Sequence, residues 1–188
     1  MPIRPIVITG NPVLHTRALE VTEFNQELRD LVQDMYETMD EAPGVGLAAP
    51  QVGVNLRVFV YDWDKEDGTP QRGVVINPTL ELSEIPTGEA DWDTESEGCL
   101  SVPGERFPLK RADKATLRGV DLDQNPVHIE AEGWFARIFQ HEFDHLNGTL
   151  YVDRLAEPHS SVAKEIIEER GWGKLDLSWL PGQDKLEG

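Results

Sequence analysis

The 188-residue chain has one cysteine, few basic residues and no long apolar run, and each shortage excludes a class of protein. Its single cysteine, Cys99, cannot form an intrachain disulfide or a four-cysteine zinc site. No segment approaches the roughly 20 apolar residues that a membrane-spanning helix needs. The first fifteen residues show neither a signal-peptide core nor an Arg/Ser-rich transit character, so we expect a cytoplasmic protein.

Basic residues are outnumbered, with 17 Lys and Arg against 35 Asp and Glu and a formal net charge of −18. Such an acidic surface repels phosphate backbones and anionic lipids, which argues against DNA binding or membrane binding as the main activity. Apolar residues make up 39% and charged residues 28% of the chain, a composition typical of a folded globular protein.

Apolar periodicity predicts three helices. The first has Thr22 as its N-cap and is stopped by Pro43-Gly44, the second is closed by Asn147-Gly148, and the third ends at Gly171. Their predicted ranges are 22–41, about 132–146 and about 160–170.

Five short β-rich runs, bounded by turn residues, predict strands. They cover residues 56–61, 73–76, 79–85, 115–122 and 127–131. The stretch from Asp62 to Glu97 holds eleven acidic residues against two basic ones, and we interpret it as a solvated loop surface. Because the strands are grouped before the second helix, we predict an α+β fold with mostly antiparallel β-sheets.

The strongest chemical signal is His141-Glu142-Phe143-Asp144-His145, inside the second predicted helix. Residues four apart project from one helical face, about 6 Å apart along the axis, so both imidazoles can reach one metal ion. Glu142 lies one step round and can take a proton from a water held there. The pattern therefore predicts a metal-binding helix. We expect this helix to be central, with the sheets packed around it and helices at the N-terminal and C-terminal ends. An accidental surface pattern is the other interpretation.

A catalytic metal site needs a third protein ligand and an open position. His15, His128 and His159 are isolated in the sequence, and we interpret them as ordinary surface or packed histidines. Cys99, within Glu97-Gly98-Cys99-Leu100-Ser101, is the better candidate. By itself a lone cysteine is equally well explained as a small core hydrophobe.

A third cluster is Gly44-Val45-Gly46-Leu47-Ala48-Ala49-Pro50-Gln51. It is not a phosphate-binding loop, because no Lys or Ser/Thr follows the glycines as in a P-loop. It is either a tight turn after the first helix or a loop whose backbone approaches a substrate. In the second case the amide of Gln51 can donate to a developing oxyanion.

Together, GVGLAAPQ at 44–51, EGCLS at 97–101 and QHEFDH at 140–145 closely resemble the three motifs of peptide deformylases, in order and in spacing. The resemblance extends from about Ile3 to Leu155. It implies one deformylase-like catalytic domain over residues 1–170, followed by a C-terminal tail at 171–188 that lies outside the motifs.

The resemblance implies a metal site made of Cys99, His141 and His145, with Glu142 as general acid and base. The implied metal is ferrous iron, for which zinc, nickel or cobalt can substitute. The implied reaction removes the formyl group from the N-terminal methionine of new polypeptides and releases formate. The implied substrates are therefore N-formyl-methionyl peptides.

The resemblance also implies groups that hold the substrate. The side-chain amide of Gln51 and the backbone N–H of Leu100 match the groups that hold the formyl oxygen. An apolar pocket suits the flexible and polarisable methionine side chain. The implied substrate-binding residues are Val45 and Gly46 along the peptide and Trp134 and Ile138 in the methionine pocket.

The C-terminal region departs from one pattern of the family, in which a basic C-terminal helix docks on the ribosome. Residues 160–188 hold four basic against six acidic residues. This balance puts a transient ribosome contact in doubt, since it disfavours electrostatic docking on RNA.

Two other functions share parts of the pattern. A zinc peptidase also has HExxH, but its third ligand is usually His, Glu or Asp, and the thiolate of Cys99 makes the ion a weaker Lewis acid. A purely structural zinc site normally has four protein ligands, and no obvious fourth exists here. Such a site would also not need Gln51 and Glu142.

Overall fold

A computed structural model describes residues 2–186 of the chain. Over that range the chain forms three α-helices and nine β-strands. The helices are α1 (Gln26–Glu41), α2 (Gly133–Leu146) and α3 (His159–Glu169). The strands are β1 (Ile6–Val7), β2 (Gly46–Ala48), β3 (Val58–Asp64), β4 (Pro70–Leu82), β5 (Ser96–Cys99), β6 (Val102–Pro108), β7 (Lys114–Val120), β8 (Pro126–Glu132) and β9 (Ser178–Trp179).

The main sheet has five strands in the order β2-β3-β4-β7-β8, so β2 lies at one edge. Two smaller sheets are formed by the pairs β5–β6 and β1–β9. All pairs among these strands are antiparallel. The predicted α+β class with mostly antiparallel sheets is confirmed.

The first helix begins later than predicted. Its N-cap is Asn25, whose side chain accepts from the backbone N–H of Leu28 at 3.1 Å. Thr22 is also a residue type that caps helices, but residues 22–24 are not helical and the cap therefore lies at Asn25. The predicted end at Glu41 is confirmed.

The acidic stretch is not a single loop, and that prediction is wrong. Its first part forms the β3–β4 hairpin, where Asp62 pairs in register with Arg72. Its last part enters β5, where Glu97 is buried. The exposed acids lie on strand faces and in turns that water reaches, so acid content does not distinguish loop from strand here.

The predicted strands 73–76 and 79–85 merge into one long strand, β4, which ends at Leu82, three residues before the predicted end. A bulge separates Ile76 from Thr79 in its pairing with β7, and Asn77 has a positive φ of 51°. No strand was predicted at β5 or β6, because Gly, Pro and charged residues interrupt the β-pattern there. These two strands matter, since β5 carries Cys99.

The second helix occurs as predicted, from Gly133 to Leu146 with Asn147 as its C-cap. Gly148 follows at a φ of +74°, and a Cβ there would lie 2.8 Å from the backbone of Thr16. Aromatic residues of α2 pack on the main sheet, as in the edge-to-face contact of Phe139 with Tyr61 at 5.1 Å between ring centroids. This packing fixes the orientation of α2, and with it the direction in which His141 and His145 point.

The chain after α3 returns to the body of the protein. Gly171 has a positive φ of 69°, and Trp172 packs partly buried against the core. Strand β9 then pairs with β1, which brings Trp179 against Ile6. Within residues 2–186, no helix combines the length and the apolar character that crossing a membrane requires.

Candidate active site and metal centre

Three potential metal ligands converge at the buried end of a cleft. Cys99 is the last residue of β5, and His141 and His145 are one turn apart on α2. The Sγ atom of Cys99 lies 3.4 Å from Nε2 of His145, which lies 3.2 Å from Nε2 of His141. The ligand atoms of all three lie within 4.8 Å of one another.

These distances fit a single ion bound by all three residues. Tetrahedral metal–sulfur and metal–nitrogen bonds place neighbouring ligand atoms about 3.3–3.6 Å apart, from the bond lengths usual for such sites. Burial lowers the pKa of His145 well below its usual value, so its imidazole is the neutral form that ligates metals. Burial acts likewise on His141, but hydrogen bonds to Cys99 and Glu97 outweigh it and raise the pKa of His141 well above the usual value. Cys99 and Glu97 thus favour a positive charge beside them.

Glu97 orients one of these ligands and was not among the predicted site residues. Its carboxylate is 3% exposed and lies 2.8 Å from Nδ1 of His141, which leaves Nε2 of that ring for a metal. Burial alone would raise the pKa of Glu97, but hydrogen bonds from Arg111 and His141 outweigh it and hold that pKa well below its usual range. Its place in EGCLS, two residues before Cys99, was the available signal.

Buried arginines surround this carboxylate. Arg111 donates to both oxygens of Glu97, at 2.8 and 2.9 Å, and to Asp144 at 2.7 Å. Arg137 donates to Glu97 at 2.8 Å, and Arg154 donates twice to Asp144, each at 2.8 Å. Because Asp144 lies beside His145 on α2, this ion network joins β5 to the helix that carries both histidines. Sequence patterns gave no sign of the arginines, since their partners are distant along the chain.

Glu142 lies next to the cluster of Cys99, His141 and His145, with unused hydrogen-bonding capacity. Its side chain is buried, and its Oε2 has no hydrogen-bond partner within residues 2–186. Burial raises the pKa of Glu142 to about 7, against the opposing charge of His141. Gly46 lies so close that a Cβ there would be 2.5 Å from Oε1 of Glu142. A carboxyl with this pKa can accept and return a proton near neutral pH.

Gln51 faces the cluster in a fixed orientation. Its Oε1 accepts from the backbone N–H of Ala48 at 3.0 Å, which assigns the amide. The NH₂ group therefore points the other way, toward Sγ of Cys99 at 3.7 Å and Oγ of Ser101 at 3.3 Å. A buried amide held in this way is a preorganised donor beside the three potential metal ligands.

The cleft over the cluster has a volume of about 570 Å³, a size typical of small-ligand sites. Trp134 lies at its rim, 39% exposed, with the guanidinium of Arg137 stacked 5.1 Å from its ring centroid. Ile138 is buried one turn further along α2. The cleft is lined by nine of the ten predicted site residues, which are Val45, Gly46, Gln51, Cys99, Leu100, Trp134, Ile138, His141 and Glu142. The tenth, His145, is buried next to Cys99.

The other histidines lie outside this cluster. His15 accepts from the backbone N–H of Gly10 at 2.9 Å, and the ring of His159 packs edge-to-face on Trp92 at 4.9 Å. His128 faces Arg118 in the pairing of β7 and β8. Each has the ordinary packing or surface environment that we inferred from its isolation in the sequence.

Comparison with known proteins gives one family. A sequence model of the family described as polypeptide deformylase matches residues 3–161. The peptide deformylase of Mycolicibacterium vanbaalenii is 51% identical over 191 positions, which cover 98% of this chain and 97% of the relative. That of Rhodococcus opacus is 52% identical over 186 positions, covering 97% and 95%.

Solved structures of peptide deformylases are also similar to this chain. A peptide deformylase from Legionella pneumophila has a TM-score of 0.75 at 37% identity and covers 90% of this chain and 96% of its own. A peptide deformylase from Ehrlichia chaffeensis in complex with actinonin has a TM-score of 0.77 at 34% identity, covering 90% and 98%.

Proposed function

This chain belongs to the polypeptide deformylase family, and from that premise we propose which of its residues carry the reaction. Its activity is that of a metal-dependent hydrolase, which removes the formyl group from the N-terminal formyl-methionine of newly synthesised polypeptides and releases formate. One observation carries the residue assignment. The unpartnered carboxyl of Glu142 lies buried beside the cluster of Cys99, His141 and His145.

Cys99, His141 and His145 would hold the metal, which we assign as ferrous iron, with zinc, nickel or cobalt as substitutes. One thiolate with two imidazoles suits ions of this group. When bound, such an ion activates a water for attack at neutral pH and polarises the formyl carbonyl. Glu97 fixes the ring of His141, and Arg111 and Arg137 fix Glu97, so the ligand geometry is set before substrate arrives.

Glu142 moves the proton. Its carboxylate takes a proton from the attacking water and delivers it to the nitrogen that leaves as the new amino terminus. Because its pKa is about 7, the Glu142 carboxyl can both accept and donate a proton near neutral pH. Its Oε2 has no hydrogen-bond partner within residues 2–186, which supports this atom as the one that accepts the proton. The close backbone of Gly46 holds the carboxyl in place.

Gln51 and Leu100 receive the charge that develops on the formyl oxygen. The amide of Gln51 is oriented toward the cluster by Ala48, so its donors need no rearrangement during the reaction. Leu100 follows Cys99 directly and lines the cleft, which supports its backbone N–H as the second donor. Two donors at one oxygen lower the barrier more than they strengthen ground-state binding.

The peptide binds along the edge of the main sheet. Val45 and Gly46 line the cleft at edge strand β2, and the carbonyl of Val45 already accepts from Asp62 of β3 at 3.0 Å. The opposite edge is therefore the one on which an extended peptide can add. Trp134 and Ile138 form the apolar side of the methionine pocket.

The thiolate ligand supports this assignment over a zinc peptidase, and a Glu142 without a structural partner supports catalysis over a purely structural site. Substrates that arise on ribosomes support a cytoplasmic location. The acidic balance of residues 160–188 disfavours docking on ribosomal RNA through that region, so we propose diffusional capture of formyl-methionyl chains.

The test is formate release by anaerobically purified, metal-quantified protein. Formyl-Met-Ala should release formate in proportion to bound iron, whereas acetyl-Met-Ala, which adds a methyl group at the reacting carbon, should react far more slowly. Fully metal-loaded protein that releases no formate from formyl-Met-Ala would contradict the proposal.

A further inference from the structure

We infer that Trp179, in the segment after α3, is a positioning residue for the oxyanion donors, acting through a hydrogen bond to the Leu100–Ser101 turn. The inference rests on the proposed role of Leu100 and Gln51. It assigns a function to the Ser-Trp-Leu-Pro-Gly segment, which lies outside the three sequence motifs.

The contact is direct and buried. The indole N–H of Trp179 donates to the backbone oxygen of Leu100 at 2.8 Å, and Trp179 is 3% exposed. Strand β9 pairs with β1, where Trp179 lies opposite Ile6. The backbone N–H of Ile8 also donates to the oxygen of Leu177 at 2.9 Å. The backbone that carries the indole is therefore held by hydrogen bonds to the N-terminal segment.

The same turn is held at two further points. The backbone N–H of Thr9 donates to the oxygen of Ser101 at 2.9 Å, and Thr9 in turn accepts from Gly173 at 3.0 Å. The amide of Gln51 donates to Oγ of Ser101 at 3.3 Å. Both proposed oxyanion donors, Gln51 and Leu100, thus depend on a two-residue turn that the terminal segments clamp.

Peptide planarity explains how Trp179 acts on an N–H that it does not touch. Anchoring the Leu100 oxygen fixes the plane of the Leu100–Ser101 peptide. On the other side, the Cys99–Leu100 peptide, which carries the Leu100 N–H, begins at Cys99, whose buried side chain contacts Gln51 and His145. With both neighbours fixed, that N–H has little freedom to turn. Donors in such sites act at 2.7–3.1 Å from the oxyanion, so a small rotation is costly.

The alternative is that Trp179 is only an apolar anchor, since it belongs to the core cluster that also contains residues of α1 and β1. A buried indole N–H usually finds some partner. The two roles differ in what their loss changes. An anchor lowers thermal stability alone, whereas a positioning residue lowers kcat with KM nearly unchanged, because the oxyanion forms only in the transition state.

The experiment compares Trp179→Phe with Trp172→Phe in the full-length, iron-loaded protein. Trp172 belongs to the same segment, is partly buried and lies 5.2 Å from the guanidinium of Arg170, and within residues 2–186 its indole donates no hydrogen bond to the turn. Complete loss of an oxyanion donor costs about 100- to 1,000-fold in kcat, so loosening one should cost about 5- to 50-fold. We expect that loss in Trp179→Phe, with KM within about twofold of the parent. Trp172→Phe should keep the parent kcat.

Two additions keep the outcome decisive. Benzothienylalanine at position 179 retains the ring volume and lacks the N–H, so it should reproduce the kcat loss without the loss of stability. In zinc-loaded protein labelled with ¹⁵N-leucine, it should also shift the amide resonance of Leu100.

Gln51→Glu separates the inference from its premise, because it keeps the acceptor for Ala48 and removes the donors. Unchanged kcat in both position-179 variants with a lost kcat in Gln51→Glu overturns the role of Trp179 alone. Unchanged kcat in all of them overturns the oxyanion site itself.

Discussion

Replacing Arg111 by methionine should destabilise the fold by removing the link between two buried carboxylates. Arg111 is 6% exposed and makes three short hydrogen bonds, two to Glu97 and one to Asp144. Methionine preserves most of the buried volume, so the change isolates the charge. Both carboxylates remain in place without one of their cations.

The expected magnitude follows from what each carboxylate keeps. Removing one partner of a buried pair typically costs about 3–5 kcal/mol, because a charge is left without compensation. Here Glu97 retains Arg137 and His141, and Asp144 retains Arg154. The cost should therefore lie at the lower end, about 3 kcal/mol in the free energy of unfolding.

Urea unfolding at pH 7, on metal-stripped protein, measures this cost without a contribution from metal binding. The matched control is Lys110→Met, which breaks a neighbouring ion pair with Glu95 that is partly exposed and should cost under about 1 kcal/mol. If Arg111→Met costs no more than Lys110→Met, the ion network does not hold the site together and the reasoning fails.

Three further predictions concern the cleft. Gly46→Ala should lower kcat by about 10- to 100-fold in steady-state assays while the fold persists by circular dichroism, because the new Cβ would displace the Glu142 carboxyl. Formyl-Met peptides should exceed formyl-Asp and formyl-Lys peptides by about 30-fold or more in kcat/KM, or about 2 kcal/mol, because a charged side chain would lose hydration against the apolar surfaces of Trp134 and Ile138. Equal values would remove the apolar pocket. The iron-loaded enzyme should lose activity in air with oxidation of Cys99 visible by mass spectrometry, while the zinc form survives air and the nickel or cobalt form keeps more activity than zinc. An iron form stable in air, or zinc as the fastest metal, would contradict the iron assignment.

Local patterns predicted the parts of the site that lie close together along the chain. The four-residue spacing of His141 and His145 determines their common face once α2 forms, and helix periodicity with Asn147-Gly148 gave α2 nearly to the residue. The missing third ligand made Cys99 the better candidate, and the family resemblance then paired it with both histidines. Its approach depends on β5, a strand that the sequence pattern does not predict.

The residues that support the site could not be predicted from the sequence, for a physical reason. Glu97 was counted among the acids of a solvated loop, yet it is buried because Arg111 and Arg137 neutralise it. Such compensation depends on tertiary contacts between residues far apart in sequence. The same holds for Trp179, which reaches Leu100 only because the chain after α3 returns to pair with β1.

The central claim is that Glu142 transfers the proton and does not hold the metal. Glu142→Gln keeps the shape of the side chain and removes its basicity, so metal content and formate release should be measured on one sample of this variant. We predict a metal content equal to that of the parent and a kcat lower by about 100- to 10,000-fold, the usual contribution of a general acid and base. Near-normal formate release by the metal-loaded variant would contradict the claim.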